Sequence, residues 1–496
     1  MKMLRYFSLN NCKVHLTSHA YLCGRQVSRL KFSKSGRWGH RPRRASAVGV
    51  LTNRNLQSLR FIFFYCLIFC GVNVNAQELL TPEEAIATAL QNNYDIRLSR
   101  NDSIISAIDY SYINAAFLPR LNANGGLVFN NNNQKQKFAD GSDRKANGIK
   151  SRNLNASIGL NWVLYDGLKM FATRDKLKEY LLLGDLTIKN QIIDIVAEVL
   201  KTYYNIVRQK QQLKAVEEQM GLNRERLKLA EIKLEVGLGI KPDVLQAKLD
   251  LNAQISTELK QLTLITQLKG DLNRLMAVDK GVNYDVLDSI VIDTTITLAE
   301  IKTNIAETSP SLLLTKKNID IANFTLKERR AERLPTVSFN SAYNFTQTNN
   351  NTVINSFSPL YNQNKGFNYG LTANIPIFNN YFARRNIRLA QADIDFRKLT
   401  LENQLSHIVT NVENTFRTYE LQKKQLSLED SNIVLAKENV FIAYERYKQG
   451  VTTYIELREA QKSLADAYDR LIAARYDTKV SETELLRLKG ELLRKQ

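Results

Sequence analysis

The sequence predicts a mainly α-helical protein with a small β part that lies in a membrane. Three observations lead to this prediction. Four segments alternate between apolar and polar side chains, as strands with one apolar and one polar face do. Most of the remaining chain shows the three-and-four spacing of apolar residues that indicates amphipathic helices. A short apolar segment near the N-terminus follows a strongly basic stretch, which is typical of an export signal.

The positive charge of the chain is concentrated before residue 77. The 496 residues carry a formal net charge of +20, a value that by itself suggests a nucleic-acid or other anionic partner. Residues 1–76 contain 13 Lys and Arg and no Asp or Glu, so the remaining chain carries 20 − 13 = +7. No motif with interleaved aromatic residues accompanies the basic stretch, and we therefore expect no nucleic-acid partner.

Residues 59–76 are predicted to be a secretory signal peptide. Arg60 precedes an apolar run of about a dozen residues, and small residues follow it as far as Ala76. The run is too short for a membrane-spanning helix, which needs about 20 residues. We expect cleavage after Ala76. Residues 1–58 are then either a basic extension or the product of a start site assigned too far upstream.

The predicted mature chain lacks the residues of common active sites. All four cysteines lie before residue 77, and His407 is the one histidine after it. A single histidine within a helical pattern is expected to be a surface or packing residue rather than part of a Ser–His–Asp triad. We find no phosphate-binding glycine loop, no metal-spaced His and Asp cluster and no nucleophile elbow. The sequence therefore predicts no enzyme activity, no cofactor and no metal site.

The first helical segment and the first strand pair have clear boundaries. Thr81, Pro82 and Glu84 have the spacing of a capping box with proline in the first turn, so a helix begins there. Pro119 ends the helical region. Strands are predicted at about 121–130 and 153–165, on either side of a polar segment that we interpret as an exposed loop.

Two helices are predicted to follow, and the plan then repeats. The first helix, about 170–236, would be about 100 Å long at 1.5 Å per residue. Asn161 and Asn374 are 213 residues apart, as are Gly237 and Gly450, so the sequence predicts an internal two-fold repeat of residues 77–288 and 289–496. The other predicted elements are a helix at 244–276, strands at 335–347 and 367–378, and helices at 382–449 and 452–489.

The four strands cannot form a complete membrane structure in one chain. Backbone groups in a bilayer must all be paired, so membrane strands close into a barrel, and barrels begin at about eight strands. Two chains would give a barrel too narrow for a pore, whereas three give twelve strands and a channel. We therefore predict a homotrimer with a 12-stranded β-barrel, four strands per chain, continued by a long α-helical barrel. Aromatic residues are expected at the membrane interface, namely Trp162, Tyr165, Phe345 and Phe378.

A resemblance to a known family is carried by the segments 80–93, 117–121, 333–337, 374–378, 236–247 and 446–461. With these segments, the chain resembles the TolC-type outer-membrane efflux proteins over about residues 79–490. The resemblance implies a homotrimer in lipid of the cell outer membrane, with a periplasmic extension, and no chemistry of its own. It also implies a periplasmic adaptor (membrane fusion) protein and an inner-membrane pump as partners. Drug, metal-ion and protein export use the same kind of duct, so the cargo stays open.

The resemblance also implies a gate at the periplasmic end. Asp243 and Tyr447 match an acid and a tyrosine of the closing network, so we expect them to lie close together. Thr452 stands where the family usually has an arginine, and the usual closing ion pair is then absent or replaced. Glu456 and Glu459 match carboxylate rings at the constriction, where three copies would attract cations. The helical periodicity of the sequence, taken without the resemblance, indicates instead that both are solvated helix residues.

Gly237 and Gly450 are expected to form adaptor-docking turns. A glycine at these positions also fits a helix C-cap, and the two interpretations are compatible.

Two other interpretations of the whole chain predict different numbers of strands. A general porin would have many more strands per chain, and a periplasmic coiled-coil structural or interaction protein would lack the four alternating strands.

Overall fold

The computed structural model describes residues 79–279, 281–355 and 357–493. The predicted basic extension and signal peptide, residues 1–76, lie outside these ranges. The described chain is mostly helical with a smaller part in sheet, which confirms the predicted class. Among the described residues, no helix carries an apolar stretch long enough to cross a membrane.

The elements follow one another in the order strand pair, long helix, shorter helix, and this order occurs twice. The first set contains β1 (Leu79–Leu80), α1 (Pro82–Asn92), α2 (Tyr94–Ser111), a 3-10 turn (Ile113–Phe117), β2 (Arg120–Lys137), β3 (Asp143–Tyr165), α3 (Lys169–Glu235) and α4 (Lys241–Met276). The second contains β4 (Asp285–Val286), α5 (Leu298–Lys302), α6 (Ile305–Thr308), α7 (Pro310–Ala331), β5 (Thr336–Asn350), β6 (Tyr361–Asn374), α8 (Phe382–Lys448) and α9 (Tyr454–Lys489).

The start of α1 has the predicted capping box. The Glu84 N–H donates to Thr81 Oγ1 at 3.2 Å, and the Thr81 N–H donates to Glu84 Oε2 at 3.0 Å. Asn93 separates α1 from α2 because its side chain accepts hydrogen bonds from the first backbone N–H groups of α2. The same side chain donates to the Leu275 carbonyl at 2.7 Å, which ties this break to the end of α4.

The strands form one antiparallel sheet in the order β2-β3-β5-β6. Its register aligns the apolar positions of neighbouring strands, since Trp162 pairs with Phe339 and Phe339 pairs with Leu371. On the other face, Asn161 Nδ2 donates to Asn340 Oδ1 at 2.6 Å, and Asn340 Nδ2 donates to Thr372 Oγ1 at 3.1 Å. The sheet therefore has one apolar face and one face crossed by side-chain hydrogen bonds.

The prediction of an exposed loop between the first two strands is wrong. Residues 130–150 extend β2 and β3 into a long hairpin whose turn is closed by a 2.9 Å hydrogen bond from the Phe138 N–H to the Ser142 carbonyl. Asparagine-rich composition suggested a loop, but Asn130, Asn131 and Asn132 pair with residues of β3. Asn133 Oδ1 accepts from the Gly148 N–H at 2.8 Å, beside a register shift in the pairing of the two strands.

The main apolar core lies where α1, α3, α4 and α9 pack together. It is built from β-branched and aromatic residues in the middle of α3, with Leu272 and Leu275 of α4 against them. Tyr203 anchors both short strands to this core: its hydroxyl donates to the Leu80 carbonyl at 2.8 Å and accepts from the Leu287 N–H at 3.1 Å. The core thus holds the helices together at the level where β1 pairs with β4.

The junction between β3 and α3 is tightly packed. Gly167 has a φ of +72°, and a Cβ at this residue would lie 2.5 Å from the Ala331 carbonyl oxygen and 2.7 Å from Leu334 Cβ. The Asp166 carboxylate accepts from the Met170 N–H at 3.0 Å and so caps the start of α3. These contacts fix the direction in which α3 leaves the sheet.

We predict that Gly167→Ala destabilises the protein by roughly 2–4 kcal/mol, because it combines a left-handed backbone with overpacking. Gly159→Ala is the matched control, since nothing lies within 4 Å of its Cβ position. The temperature of irreversible unfolding in detergent measures both variants. Equal melting temperatures for the two variants would contradict the packing described for this junction.

Candidate functional site at the helical turns

The helices form two hairpins whose turns have the same backbone design. Gly237 follows α3 and Gly450 follows α8, with φ of +76° and +77°. The Leu238 N–H donates to the Lys233 carbonyl at 2.8 Å, and the Val451 N–H donates to the Arg446 carbonyl at 3.0 Å. Each turn is therefore a Schellman motif, in which a left-handed glycine closes the last helical turn.

Asp243 and Tyr447 lie at the junction of the two turns. Burial, with a further contribution from the Asp243 charge, raises the pKa of Tyr447. Lys233 Nζ lies 3.9 Å from the centre of the Tyr447 ring and also donates to the Tyr447 carbonyl. Within the described residues no hydrogen bond joins Asp243 to Tyr447. The ring and the backbone carbonyl of Tyr447 contact Lys233 instead.

The polar network between the hairpins lies about two helical turns further from the tips, around Asp250 of α4. Arg226 of α3 donates from Nη2 to Asp250 Oδ2 at 2.6 Å and from Nη1 to Gln461 Oε1 at 2.7 Å. Tyr454 of α9 donates its hydroxyl to Asp250 Oδ2 at 3.0 Å. Three helices from both hairpins are thereby joined through one carboxylate.

The Arg226 network is buried, which makes its hydrogen bonds costly to break. Arg226 is 1% exposed, and its guanidinium carbon lies 4.9 Å from the centre of the Tyr454 ring. Burial and the Asp250 carboxylate raise the pKa of Tyr454 to about 12, against the opposing effect of Arg226. Tyr454 therefore keeps its proton at neutral pH and remains a donor to Asp250.

An apolar cluster surrounds this network at the turns. Ala247, Tyr447, Tyr454 and Leu457 are buried together, one from α4, one from α8 and two from α9. The Tyr447 and Tyr454 rings meet edge to face, with centroids 6.4 Å apart. The cluster excludes water from the contact between the hairpins, which strengthens the neighbouring ion pair.

Thr452 does not take part in the Arg226 network. Its hydroxyl is buried and has no hydrogen-bond partner among the described residues. The adjacent Thr453 caps α9 by accepting from the Glu456 N–H at 3.3 Å. The cations that pair with Asp250 come instead from Arg226, and from Arg458 at 3.4 Å.

Glu456 and Glu459 lie in the first two turns of α9 with exposed side chains. Residues three apart on a helix face the same side, so their carboxylates are neighbours. In the described part of the chain neither carboxylate forms an ion pair. Glu459 also lines a groove that reaches Arg226 and Gln461. Among all the residues that the structure describes, no group of His, Cys, Asp and Glu is suited to bind a metal ion.

The predicted interface aromatics lie at the helix-proximal end of the sheet, except Phe345. Trp162 Nε1 donates to the Phe117 carbonyl at 2.8 Å. Tyr165 ends β3, and the Phe378 ring packs edge to face on Tyr381 just before α8. Phe345 pairs with Lys365 and lies six residues along β5 from Phe339, the partner of Trp162, toward the β5–β6 turn.

Sequence reasoning missed Arg226, Asp250, Tyr454 and Gln461. One signal was available, because Gln219, Asn223, Arg226 and Ala230 recur at four, three and four residues and are all buried. This spacing places polar residues on the inner stripe of α3, where a buried network would be needed to satisfy them. The partners of Arg226 come from two other helices, Asp250 from α4 and Gln461 from α9, so no local pattern could identify them.

Comparison with known proteins gives concordant results. Cation efflux system protein CusC of Escherichia coli O157:H7 is 22% identical over 414 residues, covering 81% of this chain and 84% of that protein. Toluene efflux pump outer membrane protein TtgF of Pseudomonas putida is 24% identical over 426 residues, covering 82% of each. The Campylobacter jejuni CmeC outer membrane channel has the same fold, with a TM-score of 0.69, 17% identity and coverage of 83% of this chain and 86% of that chain.

The family model for outer membrane efflux proteins matches residues 85–278 and 303–491. These two ranges contain both hairpin turns, the Arg226 network and all four strands of the sheet. The chain therefore belongs to the outer membrane efflux protein family.

Proposed function

We propose that this protein is the outer-membrane exit channel of a tripartite efflux or secretion system. In this role it receives cargo from a periplasmic adaptor and an inner-membrane pump, and it catalyses no reaction. The observation that carries the proposal is a four-stranded sheet with one apolar face, followed by helices of 67 residues. Both edges of this sheet are unpaired within the described chain. Family membership and the efflux roles in the names of its relatives support it.

The channel is a homotrimer in this proposal. The outer sides of β2 and β6 lack a strand partner in the described chain, and unpaired strand edges are not tolerated in lipid. Pairing β6 of one copy with β2 of the next closes twelve strands around a pore. The apolar face then meets lipid, and the Asn161–Asn340–Thr372 hydrogen bonds line the water-filled interior.

The hairpins of three copies continue the barrel as a helical tunnel in the periplasm. Each long helix is about 100 Å long at 1.5 Å per residue. The hairpins also expose apolar side chains, which need a protein cover in water. Neighbouring copies supply that cover in a closed ring. The residues concerned include Leu245, Leu249 and Leu259 of α4 and Leu389, Phe396 and Leu399 of α8.

The two halves of the chain, 77–288 and 289–496, derive from an internal duplication in this proposal. Both α3 and α8 have 67 residues, and both α4 and α9 have 36. Each long helix ends in a glycine-closed Schellman turn. A trimer built from such halves has six similar hairpins, which suits a near-cylindrical tunnel.

The periplasmic end is the gate, and its closed state depends on the Arg226 network. Arg226 and Arg458 replace the arginine expected at Thr452, because they supply the cations that bind Asp250. Tyr447 and Asp243 belong to the packing around the turns. Glu456 and Glu459 of three copies form the constriction and favour cations there.

The turns at Gly237 and Gly450 dock the adaptor in this proposal. Both carry exposed apolar side chains at the far end of the hairpins, with Leu238 82% and Val451 64% exposed. Apolar side chains at the tip of a long hairpin are typical of a contact with another protein. At the other end, Trp162, Tyr165, Phe345 and Phe378 contact lipid and its interfaces.

We predict that Tyr454→Phe opens the gate. The change removes a hydrogen bond to a carboxylate, worth about 1.5–3 kcal/mol in each subunit. The open fraction in single-channel recordings from planar bilayers should rise at least roughly tenfold, since 1.4 kcal/mol corresponds to a factor of ten.

The matched control is Tyr447→Phe, which removes a hydroxyl that forms no hydrogen bond within the described residues. Its recordings should match those of the unmodified channel. An equal increase for both variants, or an effect of Tyr447→Phe alone, would show that the gate is not held by the Asp250 network. Absence of any channel conductance from the purified protein would contradict the proposed function itself.

We also predict that the double change Glu456→Gln and Glu459→Gln lowers cation selectivity and weakens block by multivalent cations. Removing six carboxylates from the constriction of a trimer removes most of its local negative potential. The reversal potential in a salt gradient measures the change. Glu402→Gln, an exposed position in α8, should leave selectivity unaltered; unchanged selectivity in the double variant would exclude the carboxylate ring.

A further inference from the structure

A groove lies at the helix-proximal end of the sheet, between the start of α3 and the end of α7. Its volume is about 660 Å³, which falls within the roughly 300–1,000 Å³ of typical ligand sites. Gly167 and Leu168 line it just after β3, and Leu334 lines it just before β5. The groove therefore adjoins the end of the sheet that carries Trp162 and Tyr165.

The groove carries three cations that have no carboxylate partner. Lys327, Arg330 and Arg333 line it with exposed side chains, and none of them forms an ion pair within the described part of the chain. Asp175 is the one carboxylate among the lining residues, and Arg174 binds it at 3.0 Å. The positive charge of the groove is thus left uncompensated by the protein.

Apolar side chains are exposed beside these cations. Leu168, Phe171 and Leu334 line the groove and are 55%, 43% and 41% exposed. Exposed apolar side chains next to each other indicate a surface that binds a partner, and the neighbouring cations require that the partner carry negative charge. A molecule that meets both requirements is an anion with an apolar portion, as an anionic lipid is.

The groove is on the side of the sheet that carries Trp162, which is the apolar side. The Trp162 indole donates to the Phe117 carbonyl at 2.8 Å. The Phe117 ring in turn meets the Phe171 ring edge to face, with centroids 5.1 Å apart. Contacts therefore run without interruption from the apolar face of the sheet to the groove.

The ion pairs between α3 and α7 lie on a different face of both helices. Lys176 Nζ is 2.5 Å from Glu328 Oε2, and Lys169 Nζ is 3.8 Å from Glu332 Oε1. At 3.6 residues per turn, these positions form a stripe separate from the one that lines the groove. The cations on that face have protein partners, whereas the cations in the groove need an anion from outside.

We propose that this groove binds the headgroup of an anionic phospholipid in the periplasmic leaflet of the outer membrane. The lipid phosphate accepts charge-assisted hydrogen bonds from Lys327, Arg330 and Arg333, and the acyl chains lie along the apolar face of the sheet near Trp162. The inference rests on the proposed channel function, which puts the sheet in the membrane.

A neighbouring copy of the chain does not cover the groove. The groove adjoins β3 and β5, which are the two central strands of the sheet. In the proposed trimer, copies meet at the outer strands β2 and β6. Each subunit therefore has its own groove, open to the surrounding lipid.

Fluorescence of Trp162 reports which lipids lie beside the groove, because Trp162 is the only tryptophan after residue 76. The purified protein is reconstituted in phosphatidylcholine vesicles that contain increasing fractions of phosphatidylglycerol with brominated acyl chains, which quench tryptophan on contact. Brominated phosphatidylcholine is measured separately. We expect the anionic lipid to associate about tenfold more strongly than the zwitterionic lipid, a difference of about 1.4 kcal/mol.

The triple variant Lys327→Gln, Arg330→Gln and Arg333→Gln should lose this preference. A matched control is the triple variant Lys260→Gln, Lys398→Gln and Lys424→Gln. It also removes three exposed cations that form no ion pair within the described residues, but these lie along α4 and α8 away from the groove. The control should keep the preference, because salt screens charges beyond about 10 Å at 0.1 M.

Equal quenching by both lipids in the unmodified protein would overturn the lipid site and leave the proposed channel intact. A preference that persists in the groove variant, or that is lost in the control variant, would also overturn it. Loss of the preference when inorganic phosphate is added at constant ionic strength would assign the groove to a soluble anion instead. Quenching by neither lipid would show that the sheet is not in the membrane, and the proposed channel function would then fail as well.

Discussion

Backbone hydrogen bonding at the edges of one small sheet constrains the whole molecule. β2 and β6 are each paired on one side only in the described chain, and the sheet has an apolar face that water would not favour. Lipid accepts the apolar face but cannot pair the edges. Both demands are met together when copies of the chain join edge to edge. The proposed trimer, with its pore and polar interior, follows from this one requirement.

Beyond the sheet, the helices are held in place by contacts at three levels. The tightly packed junction at Gly167 directs α3 away from the sheet. The main apolar core around Tyr203 packs the helices together at the middle of α3. At the far end, the two hairpins are joined by apolar packing around Tyr447 and by the buried pair of Arg226 and Asp250, which binds Gln461 and Tyr454 of the second hairpin. A buried ion pair adds little net stability but is costly to break halfway. Such a contact suits the proposed gate, which would have two discrete states.

Much of the fold was predictable because long regular elements have strong local signals. The capping box at Thr81 and the glycine after each long helix are examples of signals that the structure retains. Composition failed for residues 130–150, where asparagines pair across a hairpin instead of forming a loop. At the proposed gate, the sequence indicated the turns and Tyr447 but not Asp250, since the partners of Asp250 come from α3 and α9. The spacing within one helix can show that a polar side chain is buried, but it does not show which other helix supplies the partner.

The number of chains in the membrane-extracted protein tests the central claim most directly. Native mass spectrometry in a mild, non-dissociating detergent gives that number without reference to conductance or cargo. A shared barrel of twelve strands predicts a single species with the mass of three mature chains. A stable monomer would leave both sheet edges unpaired, and a dimer would give only eight strands; either mass would contradict the account.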